Sequence, residues 1–493
     1  MARASERAMS SESRTGVVLA FSSVLQAPLG TRGSMHRLSV AETRQSSPAN
    51  RPLVRRGVRV AAVVGLLFVL GLFIAGHDRA FKALSLLDEP QHVDYVDRVL
   101  AGEIVRRGDQ YHQAAMEAAA CRGVAGYDQP PCTPERMYDP GDFAWGGFNT
   151  ADIHPPTYYF LTAVPTRFAL LAGTDLTTAA RLTGAMWLGS ALVVLWFVMS
   201  WLAVPVLPRV AVLALVATAP TIIHASTTVT PDATALLAGA LMIAVTLLWE
   251  RGSVPVFALA VAAAFVVSLK MTNVLSVVAC VIYILVRGWT ARGRKHDRDM
   301  GFDVVPSGLA SVVVASTMLV GATMVAALAW GVIRELLAVA PTNPMIEAFR
   351  TDRLGMDQVL GESMAMVTPL RNPAVPPFLH TPLLFVVARL FEVALLAGTF
   401  GGLFAGGRIR RVGALAAGGG LTMLAGGSTL TVAIFVLGGG FFTGVPPRYG
   451  LSLIPFLAVA LAGSLGRPVA VWAMVVLAVA SMGVVIVPVL LVL

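Results

Sequence analysis

Residues 58–76 read VRVAAVVGLLFVLGLFIAG, a run whose single charged residue is Arg59. Its length and composition match the roughly 20 apolar residues that an α-helix needs to cross the hydrocarbon core of a bilayer. Ten further apolar runs follow, at residues 183–204, 209–224, 232–249, 254–269, 272–287, 307–333, 382–406, 412–438, 449–465 and 469–491. The sequence therefore predicts an all-α integral membrane protein with about eleven transmembrane helices, within a range of roughly 10–13.

The composition agrees with this class of protein. Of the 493 residues, 56% are hydrophobic and 13% are charged, against roughly 45–50% apolar and about 25% charged in soluble domains. The formal net charge of +9 does not indicate a nucleic-acid partner, because the basic residues cluster at the ends of apolar runs, where they act as topology signals. Three such clusters are expected in the cytoplasm: Arg51, Arg55, Arg56 and Arg59; Arg287, Arg292, Arg294, Lys295 and Arg298; and Arg408, Arg410 and Arg411.

These clusters predict how the chain is organised. Residues 1–57 lack a sustained apolar run and are expected to be a disordered cytoplasmic leader, with Met35 as an alternative start. Residues 58–465 form a transmembrane module, and residues 466–493 form a last transmembrane helix. The polar stretches 77–182 and 334–381 are expected on the outer face of the cell membrane. Within the first of them, Thr157 to Leu171 is expected to lie on the surface or to re-enter without crossing.

The stretch 77–182 also holds two of the three cysteines. A bridge between Cys121 and Cys132 is expected if this loop is outside, where disulfides persist, whereas Cys280 lies inside an apolar run.

Residues 87–100 read LDEPQHVDYVDRVL and predict a short amphipathic helix lying flat on the membrane just after the first span. Asp88 has two interpretations. It is an N-cap, with Gln91 completing a capping box, or either Asp88 or Glu89 is a general base that activates an acceptor hydroxyl. His92 shares the face of Asp88.

A second polar motif combines Asp152 with His154, Pro155 and Pro156, followed by Tyr158. Proline is tolerated in a first helical turn, and tyrosine suits the headgroup level. The motif therefore fits either the start of an interfacial helix or part of a site.

Three further motifs lie at the ends of later apolar runs. Asp232 follows Pro231 and either caps a helix or belongs to a site, and Lys270 either snorkels outward or binds an anion. Arg448 precedes Tyr449 on the predicted outer side, where a guanidinium is suited to bidentate phosphate binding.

Taken in this order, these motifs resemble the GT-C glycosyltransferase superfamily, which includes protein mannosyltransferases, aminoarabinose transferases and arabinofuranosyltransferases. The resemblance runs from about residue 58 to residue 465. The string DEPQH at residues 88–92 is most similar to a group of uncharacterised bacterial membrane proteins usually placed near that superfamily.

The resemblance implies transfer of a sugar from a polyprenyl-phosphate donor to an acceptor on the outer face, with inversion at the anomeric carbon. It makes Asp88 the first choice for the base and Glu89 the second, with Lys270 and Arg448 on the donor phosphate. Substrate-binding roles fall to His92, Asp152, His154, Tyr158, Asp232 and Tyr449.

The resemblance does not imply a resident cofactor. Many members need no metal, although the oligosaccharyltransferase branch does, and the sequence has no compelling metal cluster. The acceptor is left open between a cell-envelope glycan, a lipid and a protein, because the chain lacks the large soluble C-terminal domain that some members use for acceptor recognition.

Two other functions stay open. A transporter or flippase of a lipid-linked or amphiphilic substrate would have ionisable residues in mid-span, where Arg389 and Glu392 are expected to pair. A non-catalytic partner of a wall-assembly complex would keep the same motifs. The stretch 334–381 either closes over the donor or is a solvated connection; its charged residues include Arg350, Asp352, Arg353, Asp357, Glu362, Arg371 and His380.

Overall fold

The computed structural model describes residues 51–133, 136–292, 308–340, 347–370, 381–404, 410–442 and 444–490. The chain divides into two compact units, residues 1–59 and 60–493, and the contacts described below lie within the second. In the described residues the α-helices are α1 Arg51–Ala80, α2 Glu89–Leu100, α3 Gln113–Arg122, α4 Thr157–Leu171, α5 Leu176–Leu182, α6 Gly184–Trp201, α7 Val206–Ala217, α8 Pro220–Thr227, α9 Ala235–Glu250, α10 Phe257–Leu269, α11 Val274–Arg292, α12 Leu309–Leu337, α13 Met356–Gly361, α14 Pro382–Phe404, α15 Arg410–Leu437, α16 Ile454–Ser464 and α17 Pro468–Leu490.

The protein is an all-α, multi-pass membrane protein. In the described part of the chain, eight helical stretches are long and apolar enough to cross a bilayer: Val60–Ala80, Leu176–Trp201, Pro231–Glu250, Met271–Thr290, Leu309–Leu337, Pro382–Phe404, Arg411–Leu437 and Pro468–Leu490. A ninth arises if α7 and α8, which bend by 62° at their junction, count as one span. Where the structure describes them, the eleven predicted apolar runs are mainly helical, but the number that cross the membrane stays a prediction.

Two of these runs form helices that are short for a membrane span. Helix α10 has 13 residues and α16 has 11, which correspond to about 20 Å and about 17 Å against a hydrocarbon core of about 30 Å. Short 3-10 segments at Met271–Asn273 and Pro447–Leu453 adjoin them, and another at Pro231–Thr234 precedes α9. These breaks put polar residues at the ends of the apolar helices.

The two long polar stretches lie at the same end of the helix bundle. Arg107 donates to both carboxylate oxygens of Glu335 at 2.5 and 2.8 Å, and the backbone N–H of Val339 donates to the Arg107 carbonyl at 2.9 Å. Cys121 and Cys132 form a disulfide in the first stretch. Arg389 and Glu392 pair on α14, which confirms that prediction.

Two predictions about helices α1 and α2 differ from the structure. Helix α1 begins at Arg51 rather than at residue 58, and the rest of the predicted leader, with Met35, lies outside the described residues. Helix α2 does not lie on the surface. Most of its side chains, including polar ones such as Gln91, are buried against neighbouring segments of the protein, so the amphipathic pattern reflects internal polar contacts.

Gly239 on α9 tests the packing that brings two of the 3-10 breaks together. A Cβ at this position would lie 2.1 Å from the carbonyl oxygen of Ser452, so Gly239→Ala forces α9 away from the 447–453 segment. We expect a loss of about 1–3 kcal/mol of stability, measured as a lower thermal midpoint in detergent. Gly321→Ala on α12, where nothing lies within 4 Å, is the matched control and should leave the midpoint unchanged or slightly raised. Equal midpoints for the two variants would contradict the packing.

Candidate functional site

Asp88 occupies the N-cap position of α2 but does not cap the helix with its side chain. Its backbone is left-handed, with φ at 63° and ψ at 11°, and its carboxylate makes no capping hydrogen bond. Gln91 accepts instead from the N–H of Thr150 at 3.1 Å. The predicted capping box is therefore wrong, and the Asp88 side chain is left for another role. A left-handed non-glycine residue persists only where the surroundings hold it in place.

The side chain of Glu89 holds this segment in place. Its carboxylate is fully buried and accepts from Arg181 Nε and Nη2, both at 2.8 Å, and from the backbone N–H groups of Ser85 at 2.6 Å and Val229 at 2.9 Å. Arg181, 2% exposed, also donates to Asp78 at the end of α1 at 2.7 Å. Four donors leave Glu89 no free lone pair for an incoming proton, so its prediction as the second-choice base is corrected to that of an anchor.

The centre of the site is a buried ionic group that we call the Asp232 cluster: Asp232, Lys270, Arg448 and Tyr449. Asp232 Oδ1 accepts from Lys270 Nζ, and Asp232 Oδ2 lies 3.3 Å from Arg448 Nε. The ring of Tyr449 lies 4.7 Å from the Lys270 ammonium and 5.5 Å from the Arg448 guanidinium carbon.

The structure excludes helix capping by Asp232 and snorkelling by Lys270, which the sequence had left open. Thr230, not Asp232, caps the following helical turn, because its hydroxyl accepts from the Asp232 N–H at 3.3 Å. Lys270 is only 3% exposed, so it does not snorkel toward solvent. Both side chains instead complete the ionic cluster, which the 3-10 breaks at 231–234, 271–273 and 447–453 bring together.

Asp88 lies within electrostatic reach of this cluster. Burial raises the pKa of its carboxyl, and the positive charges of Arg448 and Lys270 oppose that rise. In the part of the chain that the structure describes, the Asp88 carboxylate has no hydrogen bond or ion pair, and the buried Nε of Arg448, although it lies 3.3 Å from Asp232 Oδ2, has no hydrogen-bond partner. The site therefore presents one unpaired carboxylate and one guanidinium with unused donors.

Two histidines complete the surroundings. His92 Nδ1 lies 2.8 Å from the Tyr159 hydroxyl, and the His92 and His154 rings are 5.7 Å apart. Burial, followed by the positive charge of Lys270, lowers the pKa of His92 to about 3 and that of His154 well below its usual value. Both imidazoles are consequently neutral at pH 7, so they can donate or accept hydrogen bonds without adding charge.

Two other predicted site residues have different surroundings. Asp152 pairs with Arg334 at the end of α12, Nε to Oδ2 at 2.5 Å, and this contact docks the loop onto the span. Tyr158 is 1% exposed and packs against Trp187, so it is not at a headgroup surface. Sequence reasoning missed Arg181 and His224; the His224 Nε2 lies 2.9 Å from Ser85 Oγ. A lone arginine at the start of a span was the only signal for Arg181.

The second polar stretch supports the segment that leads to Arg448. The N–H of Thr351 donates to the Gly440 carbonyl at 2.8 Å, and the N–H of Phe442 donates to the Phe349 carbonyl at 3.0 Å. Glu362 accepts from the N–H of Val445 at 3.1 Å. Residues 347–370 are thus bound to the chain before Arg448; Arg371 and His380 lie outside the described residues. Among the described residues, no group of three or more His, Cys, Asp or Glu could hold a metal ion.

Neutralising Glu89 and neutralising Asp88 should have different effects on the stability of the protein. Glu89→Gln leaves Arg181 buried without its main counter-charge, and we expect a loss of about 3 kcal/mol. Asp88→Asn removes an unpaired carboxylate, and asparagine also tolerates left-handed backbone, so stability at pH 7 should be unchanged or higher. The thermal midpoint of each variant in detergent checks this.

The pH dependence has a defined sign. Because the pKa of Asp88 is raised in the folded state, its ionisation destabilises the fold as pH rises through the range above its unfolded value. The midpoint of wild type relative to Asp88→Asn should therefore fall as the pH rises above about 4. A Glu89→Gln protein as stable as wild type would contradict the assignment of Glu89 as the anchor.

No family model matches this chain, and comparison with curated proteins finds no match. The function therefore has to be argued from the arrangement of the residues described above.

Proposed function

We propose that this protein is an inverting membrane glycosyltransferase that uses a polyprenyl-phosphate-linked sugar as donor. The observation that carries the proposal is that a carboxylate without a capping hydrogen bond, Asp88, lies within electrostatic reach of the Asp232 cluster. In this cluster Lys270 and Arg448 supply cationic donors. Proton acceptance and phosphate stabilisation are the two tasks that such a transfer requires.

Asp88 is the general base in this proposal. The acceptor hydroxyl gives its proton to the Asp88 carboxylate while its oxygen forms the new bond to the anomeric carbon from the side opposite the phosphate. A carboxylate whose pKa is raised by burial is a stronger base than an exposed one, which suits removal of a proton from an alcohol near neutral pH.

Lys270 and Arg448 bind the leaving group, which is the phosphate of the donor. The bond between the anomeric carbon and the phosphate oxygen breaks, and its electron pair stays on the phosphate, which gains one negative charge. The planar guanidinium of Arg448 can donate to two phosphate oxygens at once. The ring of Tyr449 beside both cations limits their access to water.

The charges of the site fit this direction of transfer. Asp232, Lys270 and Arg448 sum to +1, and an ionised Asp88 makes the four groups neutral. When Asp88 accepts the proton, one unit of negative charge moves from Asp88 to the phosphate, next to the two cations. Fixed cations that meet charge as it develops lower the barrier without a reorganisation cost. His92 and His154, both neutral, are suited to hydrogen-bond sugar or acceptor hydroxyls.

The proposed orientation follows the basic clusters of the sequence. It puts the N-terminus in the cytoplasm and the Asp232 cluster at the outer face of the cell membrane, where the acceptor belongs to the cell envelope.

Asp88→Asn is the direct test. In nanodiscs with a panel of radiolabelled polyprenyl-phosphate sugars, wild type should release sugar from at least one donor, and Asp88→Asn should reduce the rate by about 10²–10⁴-fold. Asp142→Asn, in an exposed pair with Arg136 on the same polar stretch, is the matched control and should keep wild-type activity.

Arg448→Lys separates donor binding from proton transfer. It keeps the charge and loses the planar fork, so we expect a higher KM for the donor with a smaller effect on kcat. Full activity in Asp88→Asn would overturn the proposed base, and no turnover of any donor by folded wild type would overturn the transferase.

One observation favours a second function, a transporter or flippase of an amphiphilic substrate. Helices α7 and α8 bend by 62° at their junction, as the two halves of a broken span would, and broken spans form binding sites in many transporters. The break is lined mainly by apolar residues, with a hydrogen bond of 2.7 Å between the Thr218 and Ser481 hydroxyls. Translocation of a fluorescent polyprenyl phosphate across proteoliposomes without an acceptor would support this function, and its absence would remove it.

A further inference from the structure

A second buried ionic group lies at the opposite end of α9 from Asp232. Asp232 precedes α9 and Glu250 is its last residue, so the two carboxylates are about 27 Å apart along the helix axis. We call the second group the Glu250 cluster: Glu250, Arg251, Arg287 and Arg411. It uses no residue of the proposed transferase site and faces the other membrane surface.

Glu250 is fully satisfied by its neighbours. It is 2% exposed and accepts from the Tyr283 hydroxyl at 2.5 Å, from Arg287 Nη2 at 2.6 Å and from Arg411 Nε at 3.1 Å. A carboxylate at the C-terminus of a helix lies at the negative end of the helix dipole, so it needs such cations. These contacts explain the presence of Arg287 and Arg411.

The contacts of the Arg251 side chain are with Trp201 and not with Glu250. Arg251 donates through Nη2 to the Trp201 carbonyl at 2.9 Å, and its guanidinium carbon lies 5.5 Å from the Trp201 ring centroid. Its buried Nε has no hydrogen-bond partner among the described residues. Burial, and then the positive charge of Arg411, lower the pKa of Arg251, and the negative charge of Glu250 offsets this only in part.

The sequence places further basic residues close to two members of this cluster. Arg292, Arg294, Lys295 and Arg298 follow Arg287, and Arg408 and Arg410 precede Arg411. Basic pockets between transmembrane helices at the cytoplasmic surface bind anionic lipid headgroups, and guanidinium groups bind phosphate oxygens in pairs.

We propose that the Glu250 cluster is a binding site for the phosphate headgroup of an anionic membrane lipid, with Arg251 as its principal contact. The site is independent of the transferase. In the orientation proposed above it faces the cytoplasmic leaflet, where such lipids are enriched.

The test is lipid binding to delipidated, full-length protein in detergent, followed by native mass spectrometry and thermal midpoint. The probes are dioleoyl phosphatidylglycerol, dioleoyl phosphatidylcholine and inorganic phosphate. We expect phosphatidylglycerol to bind more tightly than phosphatidylcholine, and Arg251→Gln to weaken that binding by about fivefold. Arg209→Gln is the matched control, because Arg209 stacks on Trp196 at 4.6 Å near the same end, and it should bind like wild type.

A second measurement needs no variant and covers the case in which Arg251→Gln fails to fold. A photoactivatable phosphatidylglycerol should label wild-type peptides that contain Trp201 or Arg251. Labelling elsewhere only, or equal binding of the two lipids, would overturn the site. Stabilisation by inorganic phosphate with no preference for phosphatidylglycerol would show that the site binds a free anion and would overturn the proposal of a lipid ligand. Stabilisation by phosphatidylglycerol alone would support the proposal.

Discussion

The buried contact between Arg181 and Glu89 is the interaction on which the candidate site depends. Its two parallel hydrogen bonds tie the start of α2 to α5, while a third arm of the guanidinium reaches Asp78 at the end of α1. Glu89 also accepts from the Val229 N–H, three residues before Asp232. One ion pair therefore fixes the first span, the helix that follows Asp88 and the chain that leads to Asp232.

This arrangement assigns two neighbouring carboxylates to different tasks. Glu89 accepts four hydrogen bonds and holds its segment in place, whereas Asp88, with its left-handed backbone, makes no capping hydrogen bond. Asp232 divides its own carboxylate between Lys270 and Arg448, which keeps the two cations side by side despite their repulsion. Asp88 interacts electrostatically with Asp232, Lys270 and Arg448, and burial strengthens such interactions.

The sequence predicted the helices well because membrane spans are long, apolar and bounded by charge. It also predicted that Asp232, Lys270 and Arg448 matter, since ionisable residues at span ends are costly unless they have partners. It could not separate Asp88 from Glu89, because adjacent residues carry the same local signal. Arg181 was missed because its partner lies 92 residues earlier in the chain, and only tertiary structure brings them together.

Helix α9 carries an ionic cluster at each end, and the separation of about 27 Å is close to the hydrocarbon thickness of about 30 Å. Neither end can enter the hydrocarbon without burying charged groups in lipid, so this span cannot slide along the membrane normal as a purely apolar helix does. Because most of α9 is buried inside the protein, a thicker or thinner bilayer acts on it only through the helices that surround it. One buried helix therefore couples the two ionic clusters, because a shift of α9 that moves Asp232 also moves Glu250.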